Sequence, residues 1–212
     1  MAGRGVGVPI VQVEFNTIIT FLGVLCAVVQ GSIGYYAAYY KKRVALIKVN
    51  DVLFRAHRAF GGFATTLYVL GLFAGVNGLL GGLLRSDPPV ELSSASYNFH
   101  TWGAFVVLVI FVWKTWLSYF NKKPLYKKRT WLGIALFVAW SYNWITAAIS
   151  YYIRTVPPNK QHPDPVFLLP YQLLGAQLVL PFLLGGIISY FIIRAAVRAD
   201  EKKDAQRRAR KS

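Results

Sequence analysis

Cysteine is nearly missing from this chain. Cys26 is the single one in 212 residues, so neither an intrachain disulfide nor a cysteine-based metal site can form. Acidic residues are scarce as well, eight Asp and Glu against 24 Lys and Arg. No paired carboxylates are placed for acid–base hydrolysis. No Ser-His-Asp set, metalloprotease helix or phosphate-cradling loop occurs either, which speaks against a hydrolase or an ATPase. Charged residues make up only 15% of the chain, too few to cover one or two water-soluble domains. What is abundant is apolar: 55% of residues are hydrophobic, 16% are aromatic, and mean hydropathy is +0.42. Apolar runs of twenty or more residues recur. The expected fold class is therefore all-α, a polytopic helical bundle in a membrane.

The net charge of +16 raises the question of nucleic acid, and its placement answers against it. The basic residues sit in short loops and a tail beside apolar runs, which is the positive-inside pattern of a membrane protein. The partners expected are the lipid bilayer and other membrane subunits, not nucleic acid.

Five spans are read along the single membrane domain 1–212, at about 10–40, 57–84, 99–120, 130–152 and 166–193, with a basic tail over 194–212. The first is too long for a signal-peptide core and is expected to be retained. Pro181 is expected to kink the last. Basic segments follow span one (Lys41, Lys42, Arg43, Lys48, Arg55), span three (Lys122, Lys123, Lys127, Lys128, Arg129) and span five. All three agree on an outside N-terminus and a cytoplasmic C-terminus. A multi-pass protein of an inner, cytoplasmic or thylakoid-type membrane is the expected location. Spans two to four are expected to form the core.

Span two organises the sequence. Steps of three and four along it give His57, Gly61, Ala64, Tyr68, Gly71, Gly75, Gly78 and Gly82, which share one helical face. In water so many glycines would weaken a helix; in lipid they let a second helix approach closely. They would equally let a flat ligand lie against the backbone.

Three histidines are present, His57, His100 and His162. His57 opens span two on the cytoplasmic side; His100 opens span three on the outer side. His162 lies in the outer loop between Pro158 and Pro163. Imidazole suits iron, and a glycine one turn away makes room for a porphyrin face. His57 has Gly61 in that place and His100 has Gly103. A magnesium tetrapyrrole of the chlorophyll kind asks for one axial histidine only, so either residue alone would serve. Glu14, Asn16, Asn77, Asn98, His100, Asn143, Gln172 and Gln177 fall toward the outer side. There they would bond across helices or hold a quinone headgroup.

The AHRAFGG start of span two and the NFHTWGAFVVLVIFVWKTW start of span three resemble helices of transmembrane cytochromes b of the b561 type. They are closer still to a family of four-helix, b561-like membrane proteins of oxygenic phototrophs. The likeness covers about residues 50–153. It implies a haem b-binding, electron-transfer bundle. Two departures stand out. Where the pattern expects a histidine opening span four, this chain has Arg129-Thr130-Trp131. Lys114 stands fourteen residues after His100, the spacing of a second ligand on the same face at the depth of His57. As a ligand a lysine would have to be deprotonated; otherwise Lys114 snorkels to the surface or pairs with a propionate.

The sequence therefore supports two expectations. One is a haem b-binding or redox-associated membrane subunit, with His57 and His100 as metal ligands and Gly61, Gly103, Lys114 and His162 around the cofactor. The other is a non-enzymatic accessory subunit of a larger membrane complex, photosynthetic or otherwise. It would bind chlorophyll-type pigment, carotenoid or lipid, or use its glycines only to pack helices.

Overall fold

The computed structural model describes residues 15–40, 51–84, 95–120, 122–155 and 174–210. They form five α-helices: α1 Phe15–Tyr39, α2 Val52–Leu84, α3 Ala95–Phe120, α4 Lys122–Thr155 and α5 Leu174–Ala209. The described residues contain no strand. The chain is all-α, as its apolar runs dictate.

Local sequence explains several boundaries. Asp51 caps α2, its Oδ1 accepting the Leu53 N–H at 2.9 Å, which satisfies one of the orphan donors at a helix start. Helix α2 thus begins before His57 and places that residue in its second turn. The basic stretch from Lys122 to Arg129, expected as a loop, is the first part of α4. Pro124 is tolerated there because the first turn has no N–H bonds to lose. Helix α5 runs unbroken through buried Pro181 and on through the charged tail to Ala209. At 36 residues it is about 54 Å long, well beyond a bilayer core.

Two described stretches are long and apolar enough to cross a membrane, Ile18–Tyr39 and Gly175–Ala209, and Trp102–Leu117 is a shorter apolar one.

The packing corrects the expected core. Helix α1, not the group of spans two to four, is the hub: it lies against α2, α4 and α5, while α3 packs along α4. Consecutive α2 and α3 scarcely approach along their backbones. The reason is the small-residue content of α1 and its partners. A β-carbon at Gly23 would stand 2.6 Å from the buried Trp140 ring of α4, and one at Gly185 of α5 would stand 2.8 Å from Val28. Bare backbone at these points admits large side chains from neighbouring helices.

Two apolar clusters result. One gathers Phe21, Val24, Ala27 and Val28 of α1, Tyr68, Val107, and Leu136, Ala139, Trp140 and Trp144 of α4. The other joins Val29 and Ile33 of α1 to Leu53 of α2 and Ala196 of α5. Trp144 also donates its indole N–H to the Leu178 carbonyl of α5 at 3.0 Å, so its one polar atom is satisfied inside the packing.

Candidate functional site

On the glycine face of α2, Gly61 and Gly71 are both met by side chains of α1. A β-carbon at Gly61 would overlap the Gln30 side-chain amide, and one at Gly71 would touch Ile19 at 3.6 Å. Ala64 and Tyr68, on the same face, are buried. The space expected to admit a porphyrin face at Gly61 is thus taken by Gln30. Gly103 behaves alike: a β-carbon there would stand 2.6 Å from the Tyr142 ring of α4. Both glycines that follow a histidine serve helix–helix contact.

His57 itself is held against α1. Its Nδ1 lies 3.2 Å from the Gln30 main-chain carbonyl, and Gly34 leaves room for its Cε1 at ordinary contact distance. With Nδ1 carrying the proton and donating to that carbonyl, Nε2 holds the lone pair. A ring nitrogen fixed by a backbone carbonyl is the usual support of an axial or metal-binding imidazole.

The relative levels of the helices follow from one bond. The Tyr68 hydroxyl of α2 donates to the Ala104 carbonyl of α3 at 2.7 Å. His57 lies eleven residues back along α2, about 16 Å at 1.5 Å per residue. Lys114 lies ten residues on along α3, about 15 Å in the same direction because the helices run antiparallel. Lys114 therefore stands level with His57 along the bundle. His100 lies four residues on the other side of Ala104, so the two histidines are about 22 Å apart along the bundle. They cannot share one metal.

Between α2 and α3 runs a narrow apolar slot of about 10 Å³, lined by Gly61, Ala64, Thr65 and Tyr68, by Val107 and Phe111, and by Leu136 and Trp140 of α4. Tyr68 closes it in edge contact with Trp140, ring centroids 5.7 Å apart, and beside Phe111 at 6.0 Å. A larger apolar groove of about 570 Å³ lies on the outer face of α3 and α4, with Trp102, Trp131 and Tyr142 among its walls.

The other sequence candidates are scattered. His162 and Gln172, like Glu14, lie outside the described residues, as do the side chains of Asn16, Asn77 and Asn98. Trp131, next to the Arg129-Thr130 that replaces the expected histidine, is 75% exposed. No group of three or more His, Cys, Asp or Glu converges among the described residues. Asn143 is buried beside Gly103, and its Oδ1 has no hydrogen-bond partner among them. Gln177 is buried on α5.

Two participants were missed from sequence. Gln30 supplies both the carbonyl for His57 and the amide that fills Gly61. Its signal was an amide deep in an apolar span, followed by Gly31 and Gly34. Tyr68 read only as one position on a small-residue face.

No protein family, no curated protein and no solved structure matches this chain.

Proposed function

We propose that this protein is a multi-pass membrane subunit that holds one tetrapyrrole through a single axial histidine, His57. All five helices are read as spans, with the N-terminus outside and the His57 end of the bundle at the cytoplasmic side. Support for that reading comes from the inverted surface. Phe63, Phe73, Trp102, Val109, Trp113 and Trp116 are all exposed, as lipid contact favours and water does not. Tyr35 and Tyr39, exposed at the end of α1, suit the interface just before the Lys41-Lys42-Arg43 segment.

The observation that carries the function is the bond from His57 to the Gln30 carbonyl. It orients the imidazole and leaves Nε2 to bind. The donor chemistry fits one axial bond to haem iron or to a chlorin magnesium. It does not fit the two-histidine haem of the b561 pattern, because the opening of α4 lacks a histidine and His100 is a bundle-length away. A haem bound here would supply one-electron chemistry, and the chain would orient it and keep water from it. Electron transfer within a larger membrane assembly is the role that follows.

The test is the absorption spectrum of the purified protein, oxidised and then dithionite-reduced. A sharp α-band on reduction, lost in His57→Ala, supports haem. Redox-inert far-red bands, lost in the same variant, support a chlorin. A spectrum with neither, or one unchanged in His57→Ala, removes the proposal.

A second reading has its own observation. Gly23, Gly61, Gly71, Gly103 and Gly185 all face side chains of a neighbouring helix, as in a subunit whose work is packing alone. In that case His57→Ala changes nothing, while Gly71→Leu disrupts assembly.

A further inference from the structure

Asn143 of α4 is 7% exposed, and its Oδ1 has no hydrogen-bond partner among the described residues. A buried acceptor in that state is uncommon and asks what would satisfy it. The atom lies against the bare backbone of Gly103 on α3. A β-carbon there would stand 3.6 Å from Oδ1 and 2.6 Å from the Tyr142 ring. Gly103 and Tyr142 both line the apolar groove of about 570 Å³ along α3 and α4. Asn143 therefore sits beneath the groove's Trp102 end, next to a ring that is exposed and can turn outward. That end coincides with the start of the apolar stretch Trp102–Leu117. From Tyr142 to Trp131 the groove follows eleven residues of α4, about 16 Å. None of its lining residues is charged. A polar acceptor thus stands at one end of an uncharged, apolar lane.

We propose that this groove binds a prenylquinol, an uncharged aromatic ring with hydroxyl groups carried on an isoprenoid chain, and that it takes the quinol in preference to the quinone. The volume is that of a small-molecule site. An amide oxygen only accepts hydrogen bonds, so the head of the ligand must donate one. A quinol hydroxyl does this; a quinone carbonyl does not. The head is aromatic because an aromatic ring is what leaves: when Tyr142 turns out, the space opened on Gly103 is that of a phenol ring, with exposed Trp102 beside it for stacking. The chain then lies over Ala139 and Ala135 toward Trp131. A phospholipid headgroup suits the groove less, since no cationic side chain lines it to meet a phosphate. The inference rests on the reading of α3 and α4 as spans in lipid, and it is independent of any cofactor at His57.

The test is anaerobic calorimetric titration of the full-length protein in lipid nanodiscs with decylubiquinol and, separately, decylubiquinone, with empty nanodiscs subtracted. Wild type, Asn143→Leu and Ala135→Trp are compared, each checked for helicity and size first. Wild type is expected to bind the quinol about tenfold more tightly than the quinone, the worth of one hydrogen bond to a buried acceptor. Asn143→Leu should abolish that difference by weakening the quinol alone. Ala135→Trp fills the lane from an exposed position and should weaken both forms. Equal binding of the two forms by wild type, tighter binding of the quinone, or a preference that survives in Asn143→Leu overturns the proposal, as does binding of neither form. Protein that will not enter the nanodiscs overturns the membrane reading and this site with it.

Discussion

The Tyr68 hydroxyl of α2 donates to the Ala104 carbonyl of α3 across 2.7 Å and ties the two helices together. These helices barely meet along their backbones, so this bond and the Tyr68 ring set their level. It places Lys114 level with His57 and keeps His100 away from both.

Tyr68→Phe should cost little in stability, about 0.5–1 kcal/mol, because Ala104 keeps its own helix bond and interhelical bonds in membranes are weak. Thermal unfolding in detergent would measure it. A loss of several kcal/mol would mean that the bond holds much more of the structure than its place suggests.

The glycines sort into two kinds. Gly23→Leu should be strongly destabilising, by about 1–3 kcal/mol or more, because the Trp140 ring it meets is buried and cannot withdraw. Gly103→Leu should cost less, since Tyr142 is 40% exposed and can swing aside. Gly62 and Gly186 face open space, so alanine there should be neutral or slightly stabilising through helix propensity. Denaturation midpoints of the four variants should rank in that order.

Asn143 offers an opposite case. Its buried Oδ1 lacks a partner among the described residues, and removing an unmet polar group for an apolar one of similar shape is often neutral or favourable. Asn143→Leu should unfold at the same temperature as wild type or a few degrees above it. A marked drop would reveal a partner for that amide, such as a bound molecule.

Cys26 is buried on α1 and should resist a membrane-permeant maleimide in the folded protein, reacting only after denaturation. With Cys26→Ala as background, cysteines at Pro124 and at His162 report topology. Impermeant reagent added outside should label position 162 and spare position 124. The reverse pattern would invert the proposed orientation.

Much of this was legible in the residues. The apolar runs predict the helices, because twenty or more apolar residues exceed the usual length of a strand. The small face of α2 predicts close contact, and the spacing of Lys114 from His100 returns it to the depth of His57. The partner of that small face was not legible. A stripe of glycine admits a helix or a flat ring equally, and that α1 lies on it, with Gln30 on Gly61 and Ile19 on Gly71, shows only in the fold. The hub role of α1 was hidden for the same reason: its Gly23, Gly31 and Gly34 carry no pattern until Trp140, Phe137 and His57 are seen lying on them.

The residues alone pointed to helices, because apolar runs of twenty or more are longer than strands usually are and a helix bonds its backbone within itself. Tertiary structure alone decided which residues meet. Helix order, level and rotation depend on side chains distant in the chain, such as Tyr68 and Ala104 or His57 and Gln30, and no local preference encodes those distances.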